Sequence, residues 1–455
     1  MALTQSPGIV TGEGAIRPDL IERCRLAFGE NPKNRLARNA VTRVSVDDVA
    51  LNWDIITRTD HSFSHRIDDW SVTAQKQTGR CWMFAGLNTL RFGAKQKMGL
   101  KEFEFSQNYL FFWDKFERAN YFLEGIIETA DRDLDDRTVA FLLARPISDG
   151  GQWNMFANLI KKHGVVPKVV MPETESSSSS RRLNSIVNGK LRDGAHAIRA
   201  LHEQGAGSEA MRAAKDETLA TIYRILAIHH GTPPTRFSWE WTDRDGQFHR
   251  APEMTPQEFA QEYVTMPVDD YVCLVNDPRP TSPYGRTYTV EFLGNVVGGE
   301  IVKYLNIEID LMKEIAQQTI MGGEPVWFGC DCGKMMRRDL GIWDKDLYDF
   351  ESVYDTDFEL SKAERLLYHE TAMNHAMVFT GVDVVDGQPK RWRVENSWGP
   401  DMADKGFYTM NASWFDEHMF EIAARKSLLP AALQEALDQE PIVLPAWDPM
   451  GALAR

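Results

Sequence analysis

The chain has 455 residues, 43 % of them hydrophobic, and a formal net charge of −15. At ~150 residues per domain, that length implies two or three structural units with ample apolar material for burial. The acidic balance argues against a general nucleic-acid surface, which needs a positive field, and no apolar run reaches membrane-spanning length.

The N-terminus, Met1-Ala-Leu-Thr-Gln-Ser-Pro7, has no basic start followed by an apolar core, so no signal peptide is expected. An amphipathic helix is predicted over Pro18–Phe28, with Pro18 in its first turn and Gly29 at its end. Asp69–Thr78 is polar and turn-rich. From Cys81 to Met98, the positions of Trp82, Phe84, Ala85, Leu87, Leu90 and Phe92 fit a mostly buried helix. Cys81 then stands at a helix N-terminus, where the dipole and free N–H groups favour a thiolate. Aromatic-rich helices are predicted over Ser106–Glu117 and Ala119–Thr129, a turn at Asp149–Trp153, and a helix over Met155–His163. Ser176–Ser180, followed by Arg181 and Arg182, has loop composition and marks a boundary. Leu183–His230 carries helical periodicity, closed by Pro233-Pro234. Phe237–Trp241 and Gln247–His249 read as a hairpin across Asp245-Gly246. Tyr271–Val275 and Thr287–Phe292 are strand-like, Ile309–Met321 is helical, and Pro325–Gly329 reads as a buried strand. His375–Val385 and Lys390–Glu395 form strands joined at Asp386-Gly387, and Gly406–Met410 is a third short strand. Pro445, Pro449 and Gly451 bar a long helix near the C-terminus.

A thiol that attacks an amide needs a base to ionise it, a group to orient the base and a donor for the oxyanion. Taken singly, the candidates say little. A lone cysteine is most often a small buried hydrophobe, and a histidine in an apolar run a satisfied core residue. An asparagine before Ser-Trp-Gly is most often a turn residue. Together they are specific, because Gln75, Gly79, Cys81-Trp82, His375 and Asn396-Ser-Trp-Gly399 occur in one order along the chain. Cysteine, histidine and asparagine in that order make the arrangement of papain-like peptidases.

The chain resembles the bleomycin hydrolase / aminopeptidase C family of cytosolic cysteine peptidases. The residues that carry the resemblance are Gln75-Lys76, Thr78-Gly-Arg-Cys-Trp82, Ser106-Gln-Asn-Tyr-Leu-Phe-Phe-Trp-Asp-Lys115, Asp149-Gly-Gly-Gln-Trp153, Gly323-Glu-Pro-Val-Trp-Phe-Gly-Cys-Asp331, Asn374-His-Ala-Met377, Glu395-Asn-Ser-Trp-Gly399 and Leu444-Pro-Ala-Trp-Asp-Pro-Met-Gly-Ala-Leu453. The resemblance covers nearly the whole chain. It implies an α+β fold with a papain-like two-lobe core, a helical lobe and an antiparallel sheet or barrel lobe. It further implies a helical insertion and a hook-like oligomerisation arm. The interval from Cys81 to His375 is 294 positions, against ~130–150 in small papain-like enzymes, so roughly 150 residues are inserted. The expected divisions are 1–175, the N-terminal segment and helical lobe with the nucleophile; 176–265, the insertion and hook; 266–440, the sheet lobe with His375 and Asn396; and 441–455, a tail that enters the active cleft.

The same resemblance implies a cytoplasmic cysteine aminopeptidase that also hydrolyses amides of the bleomycin type. Cys81 is then the nucleophile, His375 its base, Asn396 the group that orients the base, and Gln75 an oxyanion donor. Trp398 shields the Asn396–His375 contact and Trp82 supports the site. Ala454 and Arg455 gate the substrate N-terminus, with Arg455 removed by the enzyme itself. Hook-like arms would assemble a homohexamer, and no cofactor is needed. Five cysteines, odd in number and scattered, do not suggest a disulfide framework, and Thr78 stands where secreted relatives carry a cysteine. Both points fit a reducing compartment.

The sequence also offers residues for other chemistry. Cys330-Asp-Cys332, His61, His65, His229 and His230 could supply zinc ligands, but no Cys-x-x-Cys pair or His-Glu-x-x-His motif occurs, so no metal is expected. Cys330 and Cys332 read instead as core residues at a strand end. A nucleic-acid-binding barrel conflicts with the acidic balance, while a small-molecule amide or thiolactone hydrolase shares the peptidase chemistry and stays open.

Overall fold

The computed structural model describes residues 12–67 and 70–454. Contacts divide the chain into two units, Met1–Arg58 with Asp346–Glu359, and Thr59–Lys345 with Leu360–Arg455. In the first, helix Pro18–Glu30 is followed at once by Pro32–Val41, each opened by a proline. Gly29 continues the first helix, and the break falls two residues after the predicted Phe28, where Asn31 turns extended and its side chain accepts the Lys33 N–H. Asn31 also donates to Asp355 at 3.1 Å, and Leu51 bridges to Tyr348.

The second unit contains a helical lobe built on Cys81–Lys97, Gln107–Glu128 and Trp153–His163. The helices expected over Ser106–Glu117 and Ala119–Thr129 are one. Arg118 between them is a good helix former and pairs with Asp114, one turn earlier, at 2.9 Å. The converse holds for Leu183–His230, which is two helices, Arg181–Glu203 and Ser208–His230. Gly205, at φ +78°, supplies the left-handed residue that ends the first, and the turn closes through Gly207. The pair is amphipathic: Leu183, Val187, Leu191, Ala195 and Ile198 from one helix are buried, as are Ile222 and Leu226 from the other. Ser176–Ser180, expected as loop, includes a single helical turn, Glu175–Ser178, closed by a Thr174–Ser177 capping box. The hairpin is present as Phe237–Thr242 paired with Phe248–Met254.

The sheet lobe has twelve strands among the described residues. At its centre His375–Val385 lies antiparallel between Val326–Cys330 and Gln388–Glu395, and Phe407–Asn411 extends the sheet beyond the last of these. On the other side of Val326–Cys330 come Met419–Arg425, Tyr271–Val275, Tyr304–Asn306, Thr287–Val290 and finally Ile442–Leu444 from the C-terminal region. Strand alternation divides the core in two. Trp327 and Val378 join the cluster under the helices, with Trp82, Phe111 and Trp153. Phe328 and Phe379 point the other way, into a cluster with Trp392 and Phe415. The central strands are therefore buried on both faces, which fixes their register. The result is the α+β, two-lobed papain-like arrangement expected from the motifs.

Phe328 and Phe379 stack across adjacent strands with centroids 3.9 Å apart, and both are fully buried. Phe379→Ala is expected to cost ~3–5 kcal/mol, read as a lower urea midpoint at unchanged m-value.

Candidate active site

Cys81 is the first residue of its helix, and Arg80 before it offers no side-chain cap. The first backbone N–H groups thus keep their hydrogen-bonding capacity, and the Cys81 N–H is one of them. The turn is held from below by Arg80. Its buried guanidinium forks onto Glu173 at 3.0 and 2.8 Å and lies between the rings of Phe84 and Phe111. The Cys81 thiol lies 3.9 Å from Gly79 O, and the backbone N–H groups of Ala376 and Trp82 face the sulfur. Ala376 directly follows His375, at the start of its strand. Helix and strand thus bring together two residues far apart in the chain.

His375 Nε2 and Asn396 Oδ1 are 3.0 Å apart. Asn396 Oδ1 also accepts the Ser397 N–H at 2.8 Å, and since a backbone N–H can only donate, that atom is the oxygen. The histidine must therefore donate from Nε2, which leaves the lone pair of the neutral ring on Nδ1. Trp398 stacks on the imidazole at 5.0 Å, and the Arg338 guanidinium lies 4.2 Å over the other ring of that stack, Trp398. Gln75 is clamped at both ends. Its Oε1 accepts from Ser397 Oγ at 2.6 Å, and Nε2 donates to Thr78 O at 2.5 Å, leaving one amide hydrogen free for a further acceptor. Backbone bonds from Gln75 N to Ser397 O and from Gly399 N to Thr73 O tie the two loops together.

Burial pushes the Cys81 thiol up to about 11, against the pull of the Ala376 and Trp82 N–H groups. Burial also brings His375 down to about 4; the Asn396 bond opposes this and the Arg338 charge adds to it. Each charge alone is disfavoured here. Moving one proton from sulfur to imidazole creates both charges together, so that each neutralises the other's field.

Trp82 does not line an open cleft. Its ring is buried against Gly151, and Nε1 donates to Asp149 O at 2.7 Å. Asp149 in turn accepts the Gly79 N–H at 3.2 Å and pairs with Lys115 at 2.5 Å. Burial works against the charge on Asp149, yet Lys115, Ser180 and Asn184 hold its carboxyl well below the usual range. The C-terminal residues reach the same loop. Ala454 is buried, and its carbonyl accepts from Ser148 Oγ at 2.6 Å and from Arg118 at 3.4 Å. A Cβ at Gly150 would collide with Leu453 O, so only glycine admits this approach. Arg455 lies outside the described residues.

The motif reading passed over several contributors. Ser397 was visible within Asn-Ser-Trp-Gly but had no assigned role. Arg338, Arg118 and Ser148 carried no local signal at all. The histidines weighed as zinc ligands have other partners: His61 meets Thr409, His229 meets Ser176 and His230 meets Asn108, while Cys330 lies against His375 O. Among the described residues, no group of three or more His, Cys, Asp or Glu side chains could hold a metal ion.

The Peptidase C1-like family matches this chain over residues 15–451. Aminopeptidase C of Lactobacillus delbrueckii subsp. lactis is 44 % identical over 439 residues, which cover 96 % of this chain and 98 % of that protein. Bleomycin hydrolase of Homo sapiens is 43 % identical over 437 residues, with 94 % and 96 % covered. The crystal structure of PepW from Lactobacillus rhamnosis HN001 superposes with a TM-score of 0.95 at 46 % identity, covering 97 % of this chain and 99 % of its own.

Arg338 raises the cost of a positive charge on His375, so Arg338→Gln removes a repulsion from the imidazolium. His375 is then expected to hold its proton to higher pH. The alkaline limb of the kcat/KM profile, measured across pH 5–10, should move to higher pH while the fold is unchanged.

Proposed function

This chain belongs to the Peptidase C1-like family, and from that premise we propose that it is a cytoplasmic cysteine aminopeptidase, with Cys81, His375, Asn396 and Gln75 as its catalytic set. The observation that carries the assignment is the 3.0 Å His375 Nε2–Asn396 Oδ1 contact, because it commits Nδ1 to proton transfer next to the strand residue whose N–H faces the Cys81 sulfur. Nδ1 takes the thiol proton and the sulfur attacks the substrate carbonyl. The Cys81 N–H and the remaining Gln75 amide hydrogen donate to the oxyanion. The imidazolium returns its proton to the leaving amine. Water, deprotonated by the same Nδ1, then attacks the thioester and releases the acid and the free thiol. Asn396 and Trp398 keep the ring in one tautomer and one orientation throughout.

Nothing in this set distinguishes chain ends, so the exopeptidase restriction is assigned to the tail. The support for this is the ordered path of Pro449–Ala454 to the Ser148–Gly150 loop, which also contacts Gly79 and Trp82. A terminal carboxylate there would meet the α-ammonium of a substrate and occupy the non-primed side of the cleft. One charge-assisted contact of ~1.5–3 kcal/mol favours free N-termini about ten- to a hundredfold. The same position of the tail favours peptide trimming over small-molecule amide or thiolactone hydrolysis as the main role. Bleomycin-type amide hydrolysis follows from the same chemistry and from the named relatives.

Cytoplasmic location is supported by five free thiols, Cys24 among them exposed. Self-association as a homohexamer, through the inserted segment 176–265, rests on the resemblance, and the acidic net charge speaks against nucleic acid as a partner.

A panel of free and N-acetylated aminoacyl reporters tests the assignment. The wild type is expected to cleave the free forms at least tenfold faster, and Cys81→Ser or alkylation should abolish both rates; turnover that survives the serine substitution would overturn it. Self-trimming is tested by intact mass. The active wild-type protein should be shorter by one arginine residue, with Ala454 as its terminus, whereas an active enzyme that retains Arg455 contradicts the trimming step.

A further inference from the structure

The tail buries Met450, Leu453 and Ala454 in the core under the helices and is bonded at Ala454 O by Ser148 and Arg118, and one further attachment involves full charges buried from water. Past the strand Ile442–Leu444, the backbone bonds of Asp448 N to Pro445 O and of Gly451 N to Asp448 O are local turns, which shape the tail without fixing it to the body. Side chains of the body add to that burial. Tyr304 donates to Met450 O at 3.2 Å, Arg137 stacks 3.7 Å over Trp447, and Arg279 forks onto Asp448 at 3.1 and 3.0 Å. Arg279 and Asp448 are both more than nine-tenths buried.

Arg279 is itself pre-aimed. Its Nε and Nη2 also bond Asp277, at 2.9 and 2.7 Å, and its own N–H donates to the same carboxylate at 3.2 Å. Asp277 is pinned by its backbone to the Asn306 side chain at 2.8 Å, at the end of two neighbouring strands. The sheet thus presents a guanidinium with one side filled and the other open to a single carboxylate. Asp448 uses the same oxygen that meets Arg279 Nη2 to accept the Met450 N–H at 2.9 Å. That bond caps the short helix Pro449–Ala454, so one side chain sets both where the tail is anchored and which way it leaves the anchor.

We propose that Arg279, oriented by Asp277 and paired with Asp448, is a positioning residue that latches the tail in the cleft and so determines the preference for substrates with a free N-terminus. The proposal rests on the assignment of the tail as gate. The geometry also selects the variant. Removing Arg279 would strand two buried carboxylates side by side, whereas removing Asp448 leaves Arg279 paired with Asp277 and no buried charge alone. Asp448→Ala therefore loosens the latch without an orphaned ion.

The experiment compares wild type, Asp448→Ala and a deletion of Met450–Arg455 on free and N-acetylated peptides. In Asp448→Ala, KM for free peptides is expected to rise about tenfold or more with kcat within about twofold, and N-acetylated peptides should become substrates, as they should in the deletion. A merely structural role would lower kcat on every substrate and would not create activity on blocked ones. Arg279→Lys, which keeps the charge but loses the fork, guards against a folding failure and should shift KM in the same direction by a smaller factor. If the deletion opens the cleft to blocked peptides while Asp448→Ala and Arg279→Lys behave as wild type, the latch is wrong and the gate stands. If the deletion also leaves blocked peptides uncut, the gate fails and the latch with it.

Discussion

The geometry of the catalytic centre depends on a carboxylate that sees no water. Glu395 ends the strand that leads into Asn396, and its side chain is fully buried. It accepts from Arg91 at 2.5 Å and Asn88 at 2.9 Å, both on the helix that Cys81 begins, and from Trp70 at 2.7 Å. Burial pushes this carboxyl up while Arg91 pulls it down, so its charge is tolerable only with the guanidinium in place. Arg91 and Asn88 thus tie the helix that begins at Cys81 to the strand that leads into Asn396. The buried bond from Ser397 to Gln75 and the bridge of Ala74 to Trp398 join the same two segments.

A second consequence concerns polarity. The site is dry enough that neither a lone thiolate nor a lone imidazolium is favoured, yet the proposed chemistry needs both at once. Asn396 contributes without bearing charge: by accepting from Nε2 it fixes which nitrogen is basic and adds no field that would hold a proton on the ring permanently. Trp398 covers that bond with an apolar face, and Arg338 stacked on Trp398 biases the ring toward its neutral state. Burial holds both groups neutral at rest, and the proposed chemistry reaches the ionic form by moving one proton from one to the other.

The residues of the proposed catalytic set stand out in the sequence because chemistry restricts their types and order: Cys81 opens an apolar helix, His375 an apolar strand, and Asn396 precedes Ser-Trp-Gly. Element types were legible too, since period-2 and period-3.6 patterns follow from burial on strand and helix. Boundaries failed where a single residue decided them. Arg118, between the two expected helices, is a buried brace inside one long helix, while charged faces on both sides of Gly205 keep one periodicity across its turn. What no local pattern could reveal were pairings across the fold. Arg279 and Asp448 lie 169 positions apart, and each alone reads as a solvated charge on a loop. Arg338 is no different: its importance comes from the ring beneath it.

The distance along the chain between Cys81 and its base has a bearing on biosynthesis. At ~5–20 residues per second, a ribosome needs roughly 15 s to a minute to pass from Cys81 to His375. Throughout that interval the nucleophile helix can fold against its own lobe, but the sulfur has no Ala376 N–H, no imidazole and no Asn396-fixed tautomer beside it. On the proposed mechanism, the nascent protein lacks its base and orienting group until then. On that mechanism, competence waits for the second lobe, and the order of translation does the work of a safety catch.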